Sequence, residues 1–486
     1  MDNRQLAIEV DSDKIRREFN VADDLLPMSK DERKWGIGNF GTLWLGSVHN
    51  IPNYMTIGGF FALGLSVTQV FGVIMGASFI LAAVIILNGK IGTKYGIPFS
   101  MALKGSYGSK GAMLPGFLRG CVAAIMWFGF QTFAGSEAVT ILIAEFWPGF
   151  LELGAGVEIL GIGVPALISF LLFWACNIAL IFGGMDAVGK FAKILSPVVY
   201  IVFGGMAIWS VQLAGGISPI LSYTPKGIEG NSLLVMLGCV SAIIATWAAP
   251  IVSVCDLSRN AKSQKDQTIG NIIGIVAPYV LFAVASIAII VGSEIAFGTP
   301  IWNVIAVIEK FDSTFAIGVS VLTLCLTTLS VNIVGNIIPA GYQLAALFPK
   351  KLNFKKGAMV AGIIAILMMP WKLAEDSTSI FTFLNIIGGL LGPVSGVMLA
   401  DYFIINKQEI DVYALYGGSE RYEYSNGYNI AAFAATIIAG FISLIGQVVP
   451  VMKPIYDISW FVGISLAFVI YIVLMRKETV TKSTSK

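Results

Sequence analysis

The sequence predicts an all-α integral membrane protein with twelve transmembrane helices. Three observations lead there. Hydrophobic residues make up 56% of the 486-residue chain and charged residues 12%, against about 25% charged in a soluble domain. The apolar residues gather into runs of about 20, the length that crosses a bilayer. Two of these runs, five spans apart, carry helix-breaking polar or proline residues near their middles.

The runs fall at roughly 36–64, 67–88, 114–146, 158–184, 190–214, 232–255, 269–293, 314–346, 357–371, 378–404, 429–449 and 458–476. The polar, charged residues 1–35 read as a cytoplasmic N-terminal tail with no cleavable signal peptide, 36–404 as a core of ten spans in two sets of five, 405–476 as two additional spans, and 477–486 as a cytoplasmic C-terminal tail. Orientation follows from Lys and Arg, which gather in cytoplasmic loops. With the N-terminus inside, the outer loops hold only Lys226, Lys310, Lys372 and Lys453, four of 31 basic residues, Arg119 being counted inside. Arg4, Lys190, Lys193, Arg259, the segment "PKKLNFKK" at 349–356 and the C-terminal tail then lie on the cytoplasmic side. Topology and lipid contact account for these basic loops, so no nucleic-acid role follows.

Several function classes lack the residues they need. The five cysteines, Cys121, Cys176, Cys239, Cys255 and Cys325, sit in or beside apolar runs without metal or redox spacing. With one His in the chain and no acid-rich cluster, a metallo-hydrolase has little to build from. There is no G-x-x-x-x-G-K-S/T segment to cradle a nucleotide. No nucleophile–base pair lies in the apolar runs, which argues against an enzyme. The short tails carry no signalling domain, which argues against a receptor.

The interruptions are "GSVHNIPN" at 46–53 and "ATWAAPIV" at 245–252. Pro52 and Pro250 each remove a backbone donor and clash with the preceding turn. Ordinary proline kinks explain each singly. A matched pair in two halves points to an inverted-repeat transporter whose site lies at the breaks, where freed backbone groups meet an ion and a polar substrate. His49 and Asn50 stand at the first break. In "MWFGFQTFAGSE", Trp127 and Gln131 are four apart and share a helix face. An indole beside a carboxamide suits a flat amide-bearing ring, though helix packing explains the pair equally. Trp247 precedes the second break by three residues. In "TTLSVNIVGN" (327–336), Thr327 and Ser330 share one face, as do Asn332 and Asn336; buried Asn in lipid is costly unless paired. Glu137 lies six residues beyond Gln131, about 240° round the helix, and is read as lying near the outer surface.

The segments "NGKIGTKYGIPFSMALKGSYGSKGAMLP", "WFGFQTFAG", "GGLLGPVSGVMLADYFII" and "YDISWFVG" resemble the nucleobase:cation symporter-1 family, and within it the bacterial allantoin permeases, from about residue 25 to 476. The resemblance implies a leucine-transporter-like five-plus-five inverted repeat followed by two extra spans. It further implies uptake of a small planar ureide or nucleobase-like ring: allantoin first, hydantoin next, with uracil or cytosine as alternatives. By its motifs Trp127 and Trp247 would flank the ring, and Gln131, Asn336 and Asn50 would read its edge. A sodium site would use the carbonyls of Gly46, His49 and Thr327 and the hydroxyl of Ser330. Val331 stands where the family pattern has a second hydroxyl, which leaves proton coupling open beside sodium. His49 would then act through its backbone, its imidazole being a neutral buried group hydrogen-bonded across helices or a proton switch. No cofactor beyond Na+ or H+ is expected, and a monomer in membrane lipid is.

Overall fold

The structure is a computed structural model describing residues 8–183, 185–298, 301, 303–348, 350–373 and 377–484, with side chains left aside at 183, 185–197, 377 and 477–484. Arg4 and the side chains of Lys190, Lys193 and the C-terminal tail therefore lie outside the described residues.

The protein is built from α-helices, with one two-residue antiparallel strand pair, Glu158–Ile159 with Ile162–Gly163, among the described residues. Among the described residues, eight helices are long and apolar enough to cross a membrane: Val67–Tyr95, Met113–Phe146, Val164–Phe182, Gln264–Phe297, Thr314–Leu347, Thr378–Ile405, Ile430–Gln447 and Ser459–Arg476. Of the remaining apolar runs, 190–214 lies on the continuous Met185–Leu213 helix, and the other three sit on shorter or interrupted helices. The first is split into Ile37–Val48 and Ile51–Ala62, and another into Ser232–Thr246 and Ala248–Ser253. The run expected at 357–371 is helical only over Phe354–Leu367. Asn353 caps it early by accepting the Lys356 amide at 2.9 Å, and Pro370 opens a separate 3₁₀ turn.

The Gln264–Phe297 helix packs along both Ile37–Val48 and Val67–Tyr95. Its Gly270 and Gly274 make the close approach possible: a Cβ at Gly274 would lie 2.6 Å from the Phe40 carbonyl oxygen. Small residues four apart are a common device for such contacts in lipid, where no hydrophobic force drives helices together.

Among the described residues, three helices contain a π-helical turn: Leu118–Ala123, Ile333–Ile337 and Ala400–Ile405. Each turn carries a buried polar or charged residue, respectively Arg119, Asn336 and Asp401. Asp401 accepts from Tyr471, Ser106 and Asn406 at 2.7, 3.1 and 3.0 Å, so the last helix is tied to the Thr378–Ile405 helix through a carboxylate with three donors.

The N-terminal segment is ordered against the helix ends. Arg33, buried, donates to the carbonyls of Met28, Thr93 and Ile8. The Lys262 amide donates to the Trp35 carbonyl at 2.9 Å, the Trp35 amide donates to the Asn260 carbonyl at 2.8 Å, and Arg259 donates to the Asp24 carbonyl at 2.9 Å.

Candidate substrate and ion site

At the first break the helix stops at Val48 because Asn50 offers the next turn a better partner. Asn50 is the N-cap of Ile51–Ala62: its Oδ1 accepts the Asn53 amide at 2.9 Å, and its Nδ2 donates to the Ser47 carbonyl at 2.7 Å. Asn53 Nδ2 takes the Val48 carbonyl at 2.7 Å, and Tyr200 donates its hydroxyl to the Leu45 carbonyl at 2.6 Å. The Asn50 amide bonds back to Val48. The donors that a continuous helix would send to Gly46 and His49 are thus diverted, and among the described residues nothing donates to either carbonyl. Buried carbonyls in lipid need partners, and a cation is a suitable one.

The imidazole of His49 faces the other way. It lies 4.3 Å from the Tyr200 ring, 5.0 Å from Phe203 and 5.2 Å from Phe282, centroid to centroid. Neither ring nitrogen has a hydrogen-bond partner among the described residues. The expected cross-helix hydrogen bond is absent because this pocket is walled by aromatic rings.

The second break closes on itself. Trp247 ends Ser232–Thr246 by bonding its amide to Ile244, and its own carbonyl accepts from Ile251, which restarts the helix past Pro250. Its indole N–H donates to the Tyr279 hydroxyl at 2.6 Å, so the ring is held edge-on to Trp44, 5.3 Å away.

These two breaks, the Met113–Phe146 helix and the π-turn of Thr314–Leu347 enclose a cavity of about 280 Å³. Trp127, Gln131, Trp247, Asn336 and Asn50, the five residues singled out for a ring, all line it. Trp127 is buried edge-on to Phe383 at 4.7 Å, its indole N–H without a partner among the described residues. Asn336 Nδ2 donates to Gln131 Oε1 at 3.2 Å. A larger cleft of about 640 Å³, walled in part by Glu9, Lys14 and Glu409, lies under the N-terminal segment and outside the helical core.

The ion-site residues from the other helix are less well provided. Thr327 sits within the continuous Thr314–Asn332 helix, and its hydroxyl donates to Thr323 at 2.7 Å. Ser330 is half-buried, and Val331 faces the cavity with no oxygen to offer. Glu137 accepts from Asn303 at 3.1 Å, in the segment before the short Val304–Ile308 helix, away from the cavity lining.

Trp44, Arg119 and Asp256 are among the cavity residues that sequence reasoning missed. Trp44 donates its indole N–H to Asn271 Oδ1 at 2.6 Å. Arg119 reaches from its π-turn to Ser253 Oγ at 3.1 Å and the Gly335 carbonyl at 3.4 Å. Asp256 accepts the Phe99 amide at 2.8 Å. Arg119 and Asp256 end the cavity with opposite charges. A lone Arg inside an apolar run was the available signal.

Residues 27–463 match the family described as permease for cytosine/purines, uracil, thiamine, allantoin. The chain belongs to this family. Its members are permeases and not enzymes, so the protein is a multi-pass membrane transporter. It is 48% identical over 473 residues to a putative allantoin permease of Escherichia coli (strain K12), covering 97% of this chain and 98% of that protein. It is 47% identical over 455 residues to the allantoin permease of Bacillus subtilis (strain 168), covering 93% of each. Among solved structures, the inward-facing conformation of Mhp1 shares the fold, with a TM-score of 0.77 at 22% identity over 95% of this chain and 94% of that one.

Proposed function

We propose that this permease takes up a small planar ureide or nucleobase-like ring by alternating access, driven by a cation gradient. Allantoin is the favoured substrate, hydantoin follows, and uracil or cytosine is the alternative. The observation that carries the reading is convergence: two indoles and three amide side chains, from four separate helices, line one buried cavity. In this reading the ring enters between Trp127 and Trp247. Trp247 offers only its ring, since its N–H is held by Tyr279, and the Trp127 N–H is buried without a partner among the described residues. Gln131 and Asn336 read the polar edge, and Asn50 contributes the second hydrogen of its Nδ2. The relatives named for allantoin support the first choice of ring.

The cation binds where Gly46 and His49 present open carbonyls, with Thr327 and Ser330 completing the set. Val331 makes this a weak sodium site, and protons are the rival coupling ion. Coupling requires that ion and substrate favour the same conformational state. Twelve crossings with both termini cytoplasmic, arranged as five-plus-five inverted repeats and two further helices, in a monomer, complete the proposal; the basic residues and the two broken helices support it.

The test is uptake of labelled allantoin into proteoliposomes, with hydantoin, uracil and cytosine as competitors, with and without sodium at two pH values. Accumulation of unchanged allantoin, displaced best by hydantoin, is expected. Trp127→Ala should weaken binding by about 1–3 kcal/mol, as loss of base–aromatic stacking does. Unaltered affinity in correctly inserted Trp127→Ala protein sinks the ring sandwich. Chemical conversion of allantoin, or binding without accumulation, sinks transport itself.

A further inference from the structure

The two edge-reading amides belong to a longer hydrogen-bonded chain that starts outside the cavity. Asn177, fully buried on the Val164–Gly183 helix, donates its Nδ2 to the Phe173 carbonyl at 2.8 Å. A carbonyl can only accept, so Asn177 is left with Oδ1 turned toward Asn332. Asn332 Nδ2 donates to that oxygen at 3.3 Å, to Thr132 Oγ1 at 3.0 Å and to the Phe128 carbonyl at 3.3 Å. Thr132 gives its own proton to Phe128 at 2.6 Å, so toward Asn332 it too can only accept. Asn332 must then turn Oδ1 to Asn336, whose Nδ2 donates to it at 2.9 Å and to Gln131 at 3.2 Å. Both hydrogens of Asn336 are committed. What remains for a ligand is an acceptor, Asn336 Oδ1, beside a donor, Gln131 Nε2.

We propose that this polarised chain, with Asn177 and Thr132 at its buried origin, fixes the order of acceptor and donor shown to the ring. It therefore admits a lactam or ureide edge in one orientation, N–H toward Asn336 and C=O toward Gln131. The inference rests on the reading that Gln131 and Asn336 face the substrate. Without the anchor, Asn336 and Gln131 can reverse together, Gln131 donating to Asn336, with no loss of their mutual bond. The reversed pair holds the same edge only when the ring is turned over, which carries its substituents to the opposite side. Asn177 and Asn332 are thus positioning residues: they choose among isomers more than they set affinity.

The test compares 1-methylhydantoin with 3-methylhydantoin as inhibitors of labelled allantoin uptake. The two have equal size and composition and differ in which nitrogen keeps its hydrogen. The unmodified protein should prefer one. Asn332→Leu should collapse the preference by about tenfold, the scale of one buried hydrogen bond, and Asn177→Leu by a smaller factor. Asn177→Asp keeps an oxygen for Asn332 and should retain the preference. Should Asn332→Leu fail to insert, the two Asn177 variants decide. Equal weakening of both isomers with their ratio kept overturns the proposal in favour of plain packing. So does the absence of any preference in the unmodified protein. If allantoin itself is not taken up, the functional reading falls first, and the ligand role of the chain with it.

Discussion

The two broken helices carry the same signal in sequence, a proline in the middle of an apolar run, and do opposite things. At Val48–Ile51 two asparagine side chains and Tyr200 take the carbonyls of Leu45, Ser47 and Val48, leaving those of Gly46 and His49 without a donor among the described residues. At Trp247 the backbone closes its own turn, and no side chain caps the restart. The first break supplies the carbonyls proposed above for a cation; the second only aims an indole, locked by Tyr279, into the cavity. A proline reports that a helix is interrupted. What the interruption is for depends on whether polar side chains nearby divert the backbone donors.

The largest way to break this contrast is at the second site. Trp247→Ala should weaken ring binding by about 1–3 kcal/mol and leave the cation dependence of uptake unchanged. Trp247→Phe should fall between, keeping a ring face and losing the Tyr279 bond; competition binding with and without sodium separates the two effects. A next smaller effect belongs to Asn50→Ala. Loss of this cap should destabilise the detergent-solubilised protein by about 1 kcal/mol, read by thermal unfolding, and, unlike the change at Trp247, should alter cation dependence together with ring binding. If both asparagine and tryptophan variants change ring and cation response alike, the division of labour between the breaks is wrong.

Val331→Thr sharpens the contrast by adding the oxygen that the first site lacks. Sodium affinity in uptake should rise a few-fold, on the scale of one hydrogen bond to a charged group, and sodium stimulation of the unmodified protein should be weak beside its dependence on external pH. Tight sodium dependence without the change refutes the weak-site argument. The smallest effect is expected from His49→Phe. The imidazole sits in a cage of three aromatic rings with both nitrogens unpaired, and removing buried unpaired polar atoms is near neutral or stabilising. The pH profile of uptake should not move; a shift would return His49 to the coupling mechanism.

Much of the site was legible because its signals are local. A spacing of four joins Trp127 to Gln131, and Asn332 to Asn336, and a proline marks each break. Where the reading failed, the deciding contacts span the chain. Trp44 meets Asn271, Arg119 meets Ser253, and the neighbours of His49 come from residues 200–282. No periodicity within one helix announces such partners. Helix ends suffered for a related reason: apolar character fades gradually, whereas the cap at Asn353 and the stop before Pro370 are set by single residues.

The π-turns bear on how this chain should be laid beside its relatives. Each widened turn closes with one residue more than an α-helical turn needs. Removing a single residue from 333–337 would restore the regular ladder and leave the flanking turns in their present register, so the change in aim falls on the residues of the widened turn itself. Asn336 would then point off the cavity while every other residue type stayed the same. A one-position gap in an alignment at 118–123, 333–337 or 400–405 is therefore a larger change than most substitutions. Relatives that differ there have re-aimed the arginine, the asparagine or the aspartate, even where the letters on either side agree.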